Sequence, residues 1–494
     1  MASQLLSKTK YIAGIQCPRL IWVQINEPGK IPETDPVTQH VFDQGHLIGE
    51  LAKRLFPEGI DISTEDFMGN ISSTLELVKE RKPLFEAGIL TGKLYSRVDI
   101  LSPTGKEAWD IVEVKSSTGV KDVHINDVAF QRYCCNQSGL NNQSGLNIRK
   151  CYLALINNHY VKDGEIDPES LFNIHDVTDQ VEEASVGIQD KIDGILEVVS
   201  QETCPEMIIG LHCRDPYPCS LTECWDHLPE HNIFTLYYGG KKSFEMYNSG
   251  IVTVGEIPDG YKLNDKQRIQ QVCVTSNEPH VDREAILGFL SSLEYPLYYL
   301  DFETIGPAVP LFDGSRPYQD IPFQFSLHVV KDEYSQPEHF SFLANGTVDP
   351  RPALLAELQK TLGNSGSIIA YNKGFEEGIL RDMAQAFPEY SGWVTQVCDR
   401  LVDLLAPFSS FHYYHPLQRG SASLKRVLPA ITGRGYEDLD ISDGLVASIT
   451  FLAATFGGML ETERAKIMEN LEKYCGRDTE GMIWIVEKLR ELCD

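Results

Sequence analysis

Two apolar runs separated by a short turn constrain the fold of this chain more than any other segment. They span Leu94 to Leu101 (LYSRVDIL) and Ala108 to Ser116 (AWDIVEVKS), and their composition predicts two strands of a hairpin. The first run contains Asp99. The second contains Glu113 and Lys115, which are two residues apart, so both side chains leave the same strand face. Two carboxylates can hold a hard divalent cation, and a lysine can lie beside a phosphate. The pattern therefore indicates metal-assisted phosphodiester chemistry.

Two neighbouring segments with helical patterns could complete such a site. The run 41–55 carries Glu50 and His46, which are four residues apart and so share one helix face. One of them could supply a further metal ligand. The run 127–135 carries Gln131, on a helix that could pack across the hairpin.

Residues 5–226 resemble the RecB-family PD-(D/E)XK nucleases, in particular the branch with CRISPR-associated exonucleases. The resemblance rests on Arg97 and Asp99 followed by Glu113 and Lys115, in the order Arg-x-Asp and Glu-x-Lys. It implies a restriction-endonuclease-like fold. It also implies that Asp99, Glu113 and the carbonyl of Val114 are metal ligands and that Lys115 lies beside the attacking water.

Two features depart from that family. Members commonly have a helix histidine as an extra ligand, whereas the register here favours Glu50 over His46. The usual Gln-x-x-x-Tyr motif has Gln131 but ends in Cys135, and Tyr133 lies two residues after the glutamine. We therefore expect the substrate to be positioned differently.

Three cysteines stand close together in the segment 211–225 (LHCRDPYPCSLTECW). They are Cys213, Cys219 and Cys224, with Cys17 isolated near the N-terminus. Iron–sulfur nucleases that resemble this domain use one early and three late cysteines. The resemblance implies that these four hold a structural [4Fe–4S] cluster. Cys204 is a possible substitute, and Zn²⁺ is the alternative metal.

A second set of acids occurs in the last third of the chain. Asp301 and Glu303 share a face of the predicted strand 296–303, where they could bridge two cations. The segment 368–380 reads as a strand running into a helix, with Glu376 and Glu377 near the junction. Farther along, Tyr474 and Asp478 are spaced i and i+4, so they share a helix face.

Residues 296–490 resemble the DEDD-type 3′–5′ exonucleases, in the subclass that carries a tyrosine. The resemblance implies a ribonuclease H-like fold with Asp301, Glu303, Glu376 and Asp478 on the metals. It also implies that Tyr474 orients the attacking water. The family usually has aspartate where Glu376 stands, and either Glu376 or Glu377 could be the third ligand. The residues Asp403, Ser423 and Lys425 fit positions lining such a site.

Length and charge set the remaining expectations. A chain of 494 residues predicts two or three domains. The resemblances imply an α/β protein with domains 1–229 (RecB-like), 230–278 (a helical connector that resembles a helix-hairpin-helix) and 279–494 (DEDD-type). No apolar run reaches the length of a membrane span and no signal peptide is visible, so we expect a cytoplasmic protein. The net charge of −28 argues against a broad basic nucleic-acid surface.

The combined expectation is a nuclease with two active sites that uses Mg²⁺ or Mn²⁺ and acts on DNA, the second site from 3′ to 5′. The acidic net charge is compatible with a protein partner that supplies the affinity for nucleic acid. Two other interpretations stay open: an exonuclease that processes RNA, and a non-catalytic scaffold of a repair or defence complex.

Overall fold

The computed structural model describes residues 5–139 and 145–494. The chain divides into two compact units: 1–227 with 307–318, and 228–306 with 319–494. The segment 230–278, expected to be a connector, thus belongs to the second unit, and residues 307–318 belong to the first. Within the described residues, no helix combines the length and apolar character needed to cross a membrane.

The first unit is a seven-stranded mixed sheet with helices on both faces. Its strands are β1 (Leu6–Ser7), β2 (Ile60–Asp61), β3 (Leu84–Thr91), β4 (Leu94–Thr104), β5 (Ala108–Lys115), β6 (Asn147–Ile156) and β7 (Phe172–Asp176). Its helices are α1 (Lys8–Gln16), α2 (Pro18–Asn26), α3 (Pro36–Lys53), α4 (Phe67–Leu77), α5 (Asp122–Gln137), α6 (Pro168–Leu171), α7 (Thr178–Ala184) and α8 (Ile188–Val199).

The predicted hairpin is confirmed, because β4 and β5 pair antiparallel in the middle of the order β2-β3-β4-β5-β6-β7. The two faces of β5 have different environments. Ile111 packs into the core under α1 and α5, whereas Val112 packs on the reverse face with Ile48 of α3 and with Val309. Glu113 and Lys115 share the Ile111 face, since they lie two and four residues beyond it.

The second unit contains a five-stranded mixed sheet and most of the remaining helices. Its strands are β8 (His280–Val281), β9 (Leu297–Ile305), β10 (Ile321–Val330), β11 (Glu338–Leu343), β12 (Ile368–Ala370), β13 (Leu401–Asp403) and β14 (Tyr413–Tyr414). Its helices are α9 (Gly240–Asn248), α10 (Asp265–Ser276), α11 (Arg283–Ser291), α12 (Arg351–Thr361), α13 (Lys373–Ala386), α14 (Ser391–Asp399), α15 (Ala406–Ser409), α16 (Leu424–Thr432), α17 (Gly444–Phe456) and α18 (Glu461–Glu491).

The strand order β11-β10-β9-β12-β13 places β9 at the centre of this sheet. β9 is antiparallel to β10 and parallel to β12, which is parallel to β13. The direction of neighbouring strands therefore changes at β9, and the carboxyl ends of β9, β12 and β13 lie at one edge. In mixed and parallel sheets such an edge is where ligands usually bind.

Helix ends in both units are fixed by side chains at their first residues. Asp35 caps α3 by accepting from the backbone N–H groups of Val37 and Thr38. Asp443 caps α17 in the same way, by accepting from Leu445. Such caps satisfy donors that have no partner within the helix, and each stabilises its helix by about 1 kcal/mol.

The mixed α/β architecture predicted from the sequence is present in both units.

Candidate functional site

The first candidate site lies on the hairpin β4–β5, under α1 and α5. Asp99 comes from β4, Glu113 and Lys115 from β5, and Gln131 from α5. The Gln131 side-chain amide donates to Glu113 Oε2 at 2.7 Å, and Lys115 Nζ donates to Glu113 Oε1 at 2.7 Å. The backbone N–H of Val114 donates to Asp99 Oδ2 at 3.0 Å. The structure therefore brings these predicted residues together.

Two further charged residues join this network that the sequence patterns did not single out. Lys8 Nζ lies 2.8 Å from Glu113 Oε1 and 3.3 Å from Asp99 Oδ1, so one ammonium bridges the two acids. Asp127 of α5 accepts from Lys115 at 2.6 Å and from Gln131 at 3.1 Å. Asp127 could have been found from its i, i+4 spacing to Gln131. Lys8 comes from a distant helix and left no signal in the sequence.

The two lysines control the charge of this site. Burial opposes ionisation of Glu113, but Lys115 and Lys8 hold its pKa well below the usual range. Burial and the neighbouring Glu113 raise the pKa of Asp99 to about 6. Three acids, Asp99, Glu113 and Asp127, lie beside the two lysines, so the positive and negative charges of the site nearly balance.

Glu50 and His46 do not join this group. Both are exposed on α3, and Glu50 pairs with Lys53 at 2.5 Å. The reason is the packing of α3, which presents Ile48 to the reverse face of β5, opposite Glu113. Lys8 of α1 occupies the space beside the two acids where a helix ligand was expected.

The position expected to hold a tyrosine after Gln131 is part of the core. Cys135 is fully buried among apolar side chains. Tyr133 donates to the side chain of Gln189 instead. Neither residue reaches Glu113 in the structure, so the first site has no aromatic hydroxyl from this helix.

The second candidate site lies at the edge where β9 and β12 end. Asp301 and Glu303 face one side of β9, and Glu376 lies in the first turn of α13, directly after β12. Asp478 of α18 completes the set. Glu303, Glu376 and Asp478 are each at most 7% exposed, so these carboxylates are withdrawn from water.

Burial raises the pKa of all four carboxyl groups, and other acids of the set add to this effect at Asp301 and Glu303. Burial, followed by Asp478, Glu303 and Glu376, raises the pKa of Asp301 well above its usual range. Burial and Asp478 do the same to the pKa of Glu303. Burial raises the pKa of Glu376 to about 8 and that of Asp478 to about 6. Such like-charged groups share a dry space only at a considerable electrostatic cost.

Glu376 rather than Glu377 belongs to this set. One oxygen of Glu376 is buried and has no hydrogen-bond partner. Glu377 pairs with Arg381 at 2.6 Å on the solvent side of α13. Asp403, at the end of β13, accepts from the backbone of Leu405 and repels Glu376.

Two tyrosines and a lysine surround Asp478. Tyr436 donates its hydroxyl to Asp478, and the Tyr474 hydroxyl also favours the ionised form of that carboxyl. Lys425 lies 5.3 Å from the centre of the Tyr474 ring and pairs with Asp443 at 3.3 Å. Tyr474 and Lys425 were expected at this place, whereas nothing in the sequence pointed to Tyr436.

A cysteine side chain also lies in this site. Donor atoms of Asp301, Glu303 and Cys475 all lie within 4.8 Å of one another. Cys475 follows Tyr474 on α18, and its sulfur is 3.6 Å from Asp301 Oδ2. The sequence patterns did not single out this thiol, because a single cysteine next to Tyr474 forms no motif with a recognised spacing.

The four cysteines of the expected cluster lie in one region of the first unit. Cys17 joins α1 to α2, and the loop with Cys213, Cys219 and Cys224 is fixed beside it. Gln16 donates to the carbonyls of His212 and Tyr217, at 2.7 and 2.8 Å. Burial, and then the thiols of Cys17, Cys213 and Cys224, raise the pKa of Cys219.

The spacing of these thiols bears on the kind of metal they could hold. Tetrahedral zinc with bonds of about 2.3 Å keeps its sulfurs about 3.8 Å apart. In the described part of the chain, the cysteines contribute no group of three ligand atoms within 4.8 Å except the one at Asp301. Cys204 lies in the same apolar cluster as Cys17, Cys219 and Cys224.

One family model matches residues 298–423, and its description is "Domain of unknown function (DUF2779)". The matched segment contains Asp301, Glu303 and Glu376, and it ends before Tyr474 and Asp478.

Three mycoplasmal proteins are similar to part of the chain. "Uncharacterized protein MG366" of Mycoplasma genitalium is 28% identical over an aligned stretch of 213 residues, and the match covers 39% of this chain and 32% of that protein. Its homolog in Mycoplasma pneumoniae is 31% identical over 206 residues (38% and 31%). "Uncharacterized protein UU173" of Ureaplasma parvum is 24% identical over 235 residues (43% and 34%). The chain thus spans about a third of the length of the curated relatives it matches.

A double-mutant cycle tests the bridge between Lys8 and Glu113. Lys8→Met, Glu113→Gln and the double variant should give a coupling of about 1–3 kcal/mol in urea unfolding with EDTA, because either single change strands a partly buried charge. Lys10→Met is the matched control on the same helix, since Lys10 donates to the carbonyl of Leu5. Its cycle with Glu113→Gln should give a coupling near zero. Equal couplings in the two cycles would contradict the bridge.

The pH dependence of stability tests the burial of Glu376. Its pKa rises from 4.5 to about 8 on folding, so between these values the folded protein holds a proton that the unfolded chain releases. Metal-free protein should therefore lose stability as the pH rises from about 4.5 to about 8. Glu376→Gln should remove a few kcal/mol of this loss, measured by urea unfolding with EDTA. Glu377→Gln should keep the wild-type slope, and an unchanged slope in Glu376→Gln would contradict the assignment.

Proposed function

We propose that the protein is a metal-dependent nuclease with two active sites, which hydrolyses phosphodiester bonds of DNA. The observation that carries the proposal is the group of acids on β9 and beside it: donor atoms of Asp301 and Glu303 lie within 4.8 Å of each other, and the buried acids Asp478 and Glu376 raise the pKa of Asp301. Four acids with so little compensating charge favour a bound divalent cation, because oxygen-bound Mg²⁺ or Mn²⁺ offsets their repulsion.

The residues of the second site fit this cation and its chemistry. Asp301, Glu303, Glu376 and Asp478 would hold Mg²⁺ or Mn²⁺, which when bound supplies Lewis-acid stabilisation of phosphate charge and an activated water. Tyr474 would orient that water. The position at the carboxyl ends of β9 and β12 supports a ligand site at this edge. We assign this site a 3′ to 5′ exonuclease activity, on a ribonuclease H-like fold.

Within the protein, Asp478 is held by its own neighbours. The Tyr436 hydroxyl donates to one carboxylate oxygen, which fixes the rotamer of Asp478 on α18. Lys425 attracts both Glu303 and Asp478 and so partly offsets their repulsion. Tyr436 and Lys425 are therefore positioning residues in this proposal.

The first site supports the same chemistry with a different charge balance. Asp99, Glu113 and the Val114 carbonyl would hold a metal ion, on a PD-(D/E)XK-type fold. Lys115, fixed between Glu113 and Asp127, would lie beside the attacking water. Gln131 holds the second oxygen of Glu113 and so fixes the orientation of that carboxylate.

The position of Lys8 favours a second candidate function, which concerns the first site alone. An ammonium that already bridges Asp99 and Glu113 supplies the charge that a metal would otherwise provide. The first domain would then be a non-catalytic part of a repair or defence complex, and only the second site would cleave. The charge of −28 agrees with a protein partner that carries the nucleic acid.

We further propose that Cys17, Cys213, Cys219 and Cys224 hold a structural [4Fe–4S] cluster. Support comes from the apolar cluster in which Cys219 and Cys224 of the late loop pack with Cys17. Gln16 and Arg19, on either side of Cys17, fix the loop that carries the other three cysteines, Arg19 by pairing with Glu223 at 2.9 Å.

End-labelled single-stranded DNA tests the two active sites. With Mn²⁺, Asp301→Asn should slow release of a 3′ label by about 100-fold or more, because a metal ligand is lost. Lys115→Ala should leave that release intact and slow the remaining cleavage. Asp332→Asn and Lys121→Ala are controls at exposed positions. Wild-type activity in the Lys115→Ala/Asp301→Asn double variant would contradict the proposal, and preferential degradation of labelled RNA would reassign the substrate.

The absorbance of anaerobically purified protein tests the cluster. A [4Fe–4S] cluster should give a broad band at about 400 nm, and Cys213→Ser should lose it. Cys151→Ser, which changes a buried thiol in the same unit, should keep the band. Colourless protein that contains one equivalent of zinc would contradict the iron–sulfur assignment and favour the zinc alternative.

A further inference from the structure

We propose that Cys475 is a protein ligand in the second site, so that the position beside Asp301 and Glu303 takes a zinc-class divalent ion rather than Mg²⁺. The inference rests on the proposed function, because it concerns the metal of the same site. It goes beyond that function by adding a sulfur to a set that otherwise consists of oxygens.

The distances support a shared ion. Two donors on one ion, at bond lengths of about 2.1 Å for oxygen and 2.3 Å for sulfur, can be at most about 4.4 Å apart. A tetrahedral arrangement separates them by about 3.6 Å. The sulfur of Cys475 lies 3.6 Å from Asp301 Oδ2, which matches the tetrahedral separation. A donor atom of Glu303 lies within 4.8 Å of both, a range that includes the distances found on a shared ion.

A second, independent observation points to a ligand at this place. Glu376 is 3% exposed, and one of its carboxylate oxygens has no hydrogen-bond partner. Glu376 lies in the first turn of α13, directly after β12, and β12 pairs with β9, the strand that carries Asp301. A carboxylate oxygen is rarely buried without a partner, and a cation in this space would supply one.

The position of Cys475 in the fold is consistent with a ligand. Cys475 lies on α18 between Tyr474 and Asp478, and it is fully buried against the central strand β9. A thiolate prefers zinc and other soft or borderline ions, whereas Mg²⁺ requires oxygen donors in octahedral geometry. Asp478 supplies only oxygen, and it retains the Mg²⁺ or Mn²⁺ requirement of the proposed function.

The alternative role of this thiol is structural. An S–H group that donates to Asp301 would also lie 3.6 Å from Oδ2 and would orient that carboxylate without touching a metal. The two roles differ in one property: only a ligand forms a bond from sulfur to the ion.

Titration of the full-length protein with Co²⁺ distinguishes these roles. A cobalt–thiolate bond gives a charge-transfer band in the near ultraviolet, so wild-type protein should gain one such band that Cys475→Ser and Cys475→Ala lack. The affinity for Co²⁺ at this site should also fall by about 10–100-fold in both variants. Cys273→Ser is the matched control, because Cys273 is a buried thiol of the same unit beside the carbonyl of Tyr414. It should keep the band and the affinity.

Other outcomes overturn the inference in distinguishable ways. An unchanged band in both Cys475 variants would show that the thiol is only a hydrogen-bond donor, and the proposed nuclease function would stand. If Asp301→Asn keeps every Co²⁺ binding event, the second metal site itself fails. Should the Cys475 variants not fold, ¹¹³Cd NMR of wild-type protein and Asp301→Asn decides the question. A sulfur-shifted ¹¹³Cd signal that Asp301→Asn loses supports the ligand, and its absence from wild-type protein overturns it.

Discussion

Repulsion among buried carboxylates is the interaction on which the rest of this structure depends. At the edge of the second sheet, Asp301, Glu303, Glu376 and Asp478 are held by three separate elements, so none can move away without disturbing a strand or helix. In a low-dielectric space each pair of ionised acids repels strongly. Burial and these neighbours therefore raise the pKa of the carboxyl groups, and the proposed cation would relieve the repulsion.

The two units differ in the source of positive charge near their buried acids. In the first, Lys8 and Lys115 bring the positive charge from within the protein and hold Glu113 ionised. In the second, Lys425 lies close but leaves the pKa of Glu303 high, and the proposed metal ion would supply further positive charge. A metal entering the first site must compete with Lys8, whereas a metal entering the second relieves repulsion. The second site is therefore the stronger candidate for catalysis.

The sequence allowed prediction of the parts that depend on local spacing. Strand alternation placed Glu113 beside Lys115, and helical spacing placed Tyr474 beside Asp478; both pairs share a face in the structure. Spacing could not reveal Lys8, Tyr436 or Cys475, because these residues reach the sites through long-range packing of α1 and α18 and of the segment before α17. The same reason explains why Glu50 lies outside the first site. Its position along α3 agrees with the sequence prediction, but α3 packs through Ile48 against the opposite face of β5.

A crystal structure of protein soaked in Mn²⁺, with anomalous diffraction data, tests the central claim most directly. The account predicts manganese peaks bonded to oxygens of Asp301 and Asp478, with the unpartnered oxygen of Glu376 turned toward one of them. At the first site, a peak between Asp99 and Glu113 should appear only together with a displaced Lys8 ammonium. An anomalous map without a peak at Asp301, in crystals whose four acids keep the buried arrangement, would contradict the account.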